Sequence, residues 1–177
     1  NKDISGGKME RGWGMMLKNF FTEDVIVDNH ALNGRSSKSF ISEGHWQKVV
    51  EKIKPGDYVF IQFGHNDEKD DPKRHTDPGT TFDENLRKFV KETRMRGGIP
   101  VLFNSVVRRI FTNSTTAVAD DDTRSNSSAD LVEGDTLVDT HGDYLLSPRN
   151  VARELDVPFV DANKITHDLE QGLGPDK

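Results

Sequence analysis

Tyr58-Val59-Phe60-Ile61-Gln62-Phe63 is a nearly unbroken apolar run that stops at Gly64-His65-Asn66-Asp67. The turn pair Pro55-Gly56 opens it, and its β-branched and aromatic residues fit a strand covered on both faces, as in a parallel sheet. Glycine permits a sharp turn or the close approach of a ligand. The three residues after it offer an imidazole, a carboxamide and a carboxylate where open α/β sheets bind ligands, at a strand's carboxyl end. Asn66-Asp67 is equally a common turn dipeptide, so residue type alone leaves both readings open.

The remaining chain supplies the alternation that such a sheet needs. Val25-Ile26-Val27 reads as a second parallel strand, followed by a polar loop from Asp28 to Ser37. Trp46, Val49, Val50 and Ile53 recur at helical spacing, with Ser42 as N-cap and Pro55-Gly56 as stop. Thr81 and Glu84 have the spacing of a capping box for a helix whose face carries Phe82, Leu86, Phe89, Val90 and Thr93 and which ends at Gly97-Gly98. Ile99 to Phe103 is a further buried strand. A helix near Pro148 to Leu155, a short strand at Val157 to Val160 and a terminal helix around Ile165 and Leu169 complete the pattern. Trp13 to Leu17 reads as a short helix. Right-handed crossovers then give an α/β domain with a parallel sheet and helices on both faces.

Composition narrows the function classes. The 177 residues suit one α/β domain spanning the chain, and a net charge of −6 with scattered basic residues argues against nucleic-acid binding. No stretch is long and apolar enough to span a bilayer. Without cysteine there is no disulfide, thiolate zinc site or cysteine nucleophile. Glu68 to Gly79 is a mixed-charge loop whose spacing matches no calcium loop, and it reads as a solvated excursion. Thr112 to Gly134 is too polar to pack a core and reads as a mobile flap. It carries two N-x-[ST] sequons, at Asn113 and Asn126.

If the strands at Val25 and Tyr58 are neighbours, Gly34 and Asn66 stand in adjacent strand-end loops. One backbone N–H and one carboxamide N–H aimed at a common point make an oxyanion hole, in which losing one donor costs about 3 to 4 kcal/mol of barrier. Ser36 and Ser37 read as caps of the following turn rather than nucleophiles. His65 either meets substrate or buttresses its loop. Arg108 and Arg109 follow a strand and either bind a substrate carboxylate or form surface ion pairs. Trp46, at helical spacing, reads as core, and Trp13 as a ring available to stack on sugars.

Asn29 to Ser37 and Gln62-Phe63-Gly64-His65-Asn66-Asp67 resemble the second and third blocks of the SGNH (GDSL-type) hydrolases. The Phe-Gly-His-Asn-Asp form, with Arg11-Gly12-Trp13-Gly14 and Thr140-His141-Gly142-Asp143-Tyr144, is similar to the rhamnogalacturonan acetylesterase branch. The resemblance implies a flavodoxin-like three-layer α/β/α sandwich, no cofactor or metal, and removal of acetyl groups from pectic polysaccharide by a serine nucleophile. It also implies an extracellular or periplasmic setting. It assigns Gly34 and Asn66 to the oxyanion hole. His65, Asp67, Arg108 and His141 are read as the substrate-contacting set, with His141 and Asp143 of the shared motif equally readable as turn formers. An acetylated polysaccharide or oligosaccharide is then the partner.

Two blocks of that family are missing. The Gly-Asp pairs here continue to Tyr58, Thr136 and Tyr144, so there is no Gly-Asp-Ser, and none of the six histidines has Asp three residues before it. Asp161 and His167 are six positions apart and are not assigned that role. Both absences fall at the ends, and the sequence reads as part of a longer enzyme that is inactive as these 177 residues alone. The alternatives are a non-catalytic polysaccharide-binding derivative and, least supported by the polar loops, an esterase of lipids or small acyl esters.

Overall fold

The computed structural model describes residues 2–3, 9–10, 12–113, 131–132 and 134–175. The chain divides into two compact units, Asn1–Arg35 and Ser36–Lys177. In the first, strands β1 (Lys2–Asp3) and β2 (Met9–Glu10) pair antiparallel, and helix α1 (Trp13–Met16) runs on into a 3₁₀ turn, Leu17–Phe20. The strand expected at Val25-Ile26-Val27 does not form. β-Branched residues favour a pleated, half-buried surface only where a ladder partner exists, and here Ile26 is 91% exposed.

The second unit begins with helix α2 (Ser37–Ser42), capped by Ser36: its hydroxyl accepts from Ser39 N at 3.1 Å while Ser39 Oγ accepts from Ser36 N at 2.9 Å. Ser42 is therefore the last residue of this helix and not the N-cap of the next. Helix α3 (His45–Lys52) starts instead after Gly44, whose left-handed φ of 75° reverses the chain between the two helices. Strand β3 (Tyr58–Gln62), helix α4 (Thr81–Met95), strand β4 (Ile99–Phe103), helix α5 (Leu146–Leu155), strand β8 (Phe159–Val160) and helix α6 (Ala162–Leu173) follow in alternation.

β3, β4 and β8 form a parallel sheet in that order, with Tyr58 opposite Ile99 and Leu102 opposite Phe159. Helices α4 and α5 pack on each other and on β4. Within α4, Phe82, Leu86, Phe89, Val90 and Thr93 are fully buried, as their spacing requires. They meet Ile61, Leu102 and Val151, while Phe89 contacts the rings of Trp46 and Phe63 at 4.6 and 5.1 Å. The helix ends where Gly97 (φ 78°) and Gly98 donate back to Arg94 O and Thr93 O.

Three sequence expectations change in detail. Thr81 and Glu84 make no capping box; Thr81 Oγ1 accepts from Asp77 N at 2.8 Å and Asp83 Oδ1 from Gly79 N at 2.9 Å, so the preceding turn supplies the donors. β3 is covered on one face only. Ile61 is buried, whereas Tyr58 and Phe60 on the other face are 68% and 40% exposed, Phe60 lying against Phe103 at 5.3 Å. The Thr112–Gly134 flap is not wholly irregular. Strand β5 (Ile110–Thr112) pairs parallel with β6 (Leu131–Val132) and antiparallel with β7 (Thr136–Leu137), while 114–130, including Asn126 and its sequon, lie outside the described residues. The terminal helix forms as expected, with Ile165 and Leu169 about 60% exposed.

Phe89 is the centre of this core. Phe89→Ala should lower unfolding free energy by about 3 to 5 kcal/mol, and Leu169→Ala by less than about 1 kcal/mol, when the two are compared by urea titration.

Candidate active site

The end of β3 is shaped by a contact that only glycine allows. Gly64 has φ of 131°, and a Cβ there would stand 2.6 Å from Ser105 Oγ, on the segment following β4. The chain turns at once: Asp67 N and Glu68 N both donate to Gly64 O, at 2.9 and 3.2 Å. The two crossover loops are thereby pressed together at the carboxyl ends of adjacent parallel strands.

Asp67 points inward from this turn. Its carboxylate accepts from Ser37 N at 3.0 and 3.1 Å, Ser37 Oγ at 2.5 Å, Thr76 Oγ1 at 2.9 Å and Gly64 N at 3.0 Å. It is fully buried. Burial pushes its carboxyl above the usual range, against the pull of the Ser37, Thr76 and Gly64 donors. Asn85 Nδ2 donates to Ser37 Oγ at 3.0 Å, so this hydroxyl is engaged by both α4 and the turn. Where the sequence reading places Asp67 among the substrate contacts, the structure turns it away from any surface and makes it the brace of the loop. Ser36 and Ser37, both buried, belong to the cap and the brace.

Asn66 stays partly exposed. Its Oδ1 accepts from Arg74 Nη1 at 3.4 Å, and Arg74 Nε is held by Asp71 Oδ2 at 3.0 Å. Anchoring the oxygen end sets the plane of the carboxamide and makes Nδ2 its donor end. Gly34 belongs to the first unit, with a left-handed φ of 75°; a Cβ added there would meet nothing within 4 Å, so backbone conformation, not crowding, selects glycine.

Beside Asn66 lies an ionic cluster that sequence reading only half found. Glu68 pairs with Arg108 through Oε1, and its Oε2 lies 2.9 Å from His141 Nδ1. Arg108 Nη1 donates to Thr140 Oγ1 at 2.7 Å and Nη2 to His65 O at 3.4 Å; His141 Nε2 donates to Val106 O at 3.0 Å. The rings of His65 and His141 are 4.7 Å apart. The side chains of Arg108 and His141 are 9% and 0% exposed, which makes the Arg108 pair neither a surface bridge nor an open carboxylate receptor. Burial, with His141, Arg108 and Lys69 nearby, holds the His65 imidazole well below its ordinary value. Arg109 instead meets Glu170 at 3.3 Å and the Pro175 carbonyl at 2.7 Å.

The loop Glu68 to Gly79 is therefore no plain solvated excursion: it contributes Glu68, Arg74 and buried Thr76 to the site's support. Elsewhere Asp161 caps α6 through Lys164 N at 3.1 Å and accepts from Asn104 Nδ2 at 2.8 Å, a structural post, while His167 sits 3.7 Å from Asp168. Among the described residues no group of three or more His, Asp or Glu side chains is placed to hold a metal ion.

A parallel α/β sheet with a braced Gly-His-Asn-Asp turn at its carboxyl edge defines an SGNH-type hydrolase fold. The chain matches the GDSL-like lipase/acylhydrolase family over residues 2–176 and belongs to it. It is 37% identical over 166 residues to rhamnogalacturonan acetylesterase RhgT of Bacillus subtilis, covering 94% of this chain and 62% of that protein. It is 40% identical over 103 residues to a probable rhamnogalacturonan acetylesterase, YesY, of the same organism, covering 58% of this chain and 48% of that one. The crystal structure of Bacillus subtilis YxiM superposes with a TM-score of 0.71 at 24% identity, over 93% of this chain and 40% of that one. The last agrees with the expected fold, a parallel sheet with helices on both sides. The chain thus spans between about half and three-fifths of the length of these two curated relatives.

Two measurements test the site's architecture. Gly64→Ala should cost about 1 to 3 kcal/mol, since it combines an unfavourable φ with a clash, and adding Ser105→Ala should recover part of the loss in denaturant titration. His65 has a folded-state pKa below that of the unfolded chain, so unfolding takes up a proton; its contribution is intact above the ordinary value of 6.5 and is lost as pH falls below it. Melting temperature should therefore drop between about pH 6.5 and 5.5 less steeply in His65→Gln than in the parent.

Proposed function

We propose that this chain is part of a carbohydrate O-acetylesterase that removes acetyl groups from rhamnogalacturonan-type pectic polysaccharide. The observation that carries the reading is the Asn66 carboxamide, presented at the end of a parallel strand with its oxygen anchored by Arg74 and its loop braced from beneath by Asp67. A fixed N–H donor of this kind stabilises the negative charge that gathers on a carbonyl oxygen when a hydroxyl attacks, and needs no reorganisation to do so.

In the proposed reaction a serine hydroxyl attacks the acetyl carbonyl, a histidine takes its proton and returns it to the leaving sugar oxygen, and water then releases acetate by the same route. Asn66 Nδ2 receives the oxyanion. The 177 residues contain neither a Gly-Asp-Ser nor an Asp-x-x-His block, so the nucleophile and the base are assigned to the whole protein and this stretch alone is inactive. Membership of the acylhydrolase family and the two acetylesterase relatives support the reaction class and the substrate. The proposed setting is extracellular or periplasmic, where a polymer is met, and the reaction as proposed uses no ion or cofactor.

In the full-length protein, Asn66→Ala should reduce acetate release from acetylated rhamnogalacturonan by on the order of 10² to 10³ in kcat, with an unchanged circular dichroism spectrum. Equal turnover of the variant and the parent would remove Asn66 from the mechanism. Full binding of the polysaccharide without any acetate release by the parent would identify a binding derivative instead.

A further inference from the structure

Glu68 stands two residues beyond Asn66 on the same turn, and its backbone N–H donates to Gly64 O, closing that turn. Its carboxylate leaves the loop and reaches two other segments at once, Arg108 after β4 and His141 ahead of α5. Arg108 in turn donates through Nη2 to the carbonyl of His65, the oxygen of the very peptide group whose nitrogen belongs to Asn66. The path from Glu68 to Asn66 thus has one intermediary, and it ends on backbone.

Charge and burial make that path stiff. Glu68 is 13% exposed in its side chain, Arg108 9% and His141 0%, and the groups facing the cluster are Thr140, the His65 ring and the carbonyls of His65 and Val106. Lys69 adds positive charge near His65. The Glu68 carboxylate is in hydrogen-bond contact with both Arg108 and His141, while Asp139 Oδ1 accepts from the His141 backbone N–H at 3.3 Å. A planar guanidinium held by a carboxylate at one edge presents its remaining N–H groups in a fixed direction.

We propose that Glu68 is a positioning residue for the oxyanion site: by holding Arg108 against the His65 carbonyl it fixes the peptide that carries Asn66. It touches neither substrate nor reacting atoms. The inference deepens the esterase reading and rests on it for its kinetic consequence, though its geometric part stands apart from that reading.

The test uses the full-length protein carrying Glu68→Gln, which keeps the shape and removes the charge. Nuclear magnetic resonance of the Asn66 side-chain amide, assigned by its loss in Asn66→Ala, is read together with acetate release. Displaced Asn66 amide resonances with kcat lowered about 10- to 100-fold and KM unchanged are expected, since misplacing a reacting group by about 1 Å costs of that order. A folded variant with unmoved Asn66 signals and unchanged kcat overturns the proposal. If Glu68→Gln does not fold, Thr140→Val loosens the far side of Arg108 and the same two readings decide, with smaller displacements in support and none against. If the parent releases no acetate, the esterase reading fails, and the amide signals alone still decide whether Glu68 positions Asn66.

Discussion

The carboxylate of Asp67 occupies a place from which water is excluded, and it remains there because four donors from three segments converge on it. A buried acidic group without partners would cost several kcal/mol; with Ser37 N and Oγ, Thr76 Oγ1 and Gly64 N around it, the same group becomes a fastener. It joins the start of α2, the turn after β3 and the loop ahead of α4. Everything proposed for Asn66 follows from this, since a carboxamide on a loose turn has no preferred direction. The turn is drawn inward at residue 67, while its neighbour at 66 keeps a partly exposed side chain.

A second layer works by charge rather than by neutral donors. Glu68, Arg108 and His141 bring the loops after β3 and β4 to the 3₁₀ turn Gly142–Leu145 that leads into α5. On that turn, Tyr144 donates to Thr76 O at 2.5 Å, and its hydroxyl is pushed up to about 12 by burial and by the surrounding Asp77, Asp67, Glu68 and Asp70 carboxylates. It stays a donor throughout the physiological range, so the second layer leans on the first through Thr76. A sheet of three short strands carries the whole arrangement because the layers tie its loops, and not only its strands, to one another.

The sequence was most readable where period and punctuation agree. The α4 face from Phe82 to Thr93 and the span of β4 from Ile99 to Phe103 are found as read, since apolar spacing and flanking glycines give the same answer twice. Val25-Ile26-Val27 had the composition of a strand without the partner a strand needs, a property no window of sequence contains. Partners at long range were equally invisible. Asp67 looked like a ligand group because it follows Asn66, and nothing local reveals that Ser37, thirty positions earlier, and Thr76, nine later, turn it inward. Glu68 and Arg74 were hidden in a charge-rich stretch whose composition is that of a solvated loop. Gly34 and Asn66 were read from motif and residue type, and they belong to different compact units.

The two tryptophans fall one in each unit. Trp46 is 5% exposed, its ring tilted against Phe89, with its indole N–H donating to Glu92 Oε2 at 2.6 Å, whereas Trp13 is 37% exposed. Their fluorescence is therefore separable: a blue-shifted emission for the helical core of one unit and a red-shifted, quencher-accessible emission for the other. A single spectrum followed through unfolding distinguishes loss of one unit from loss of both.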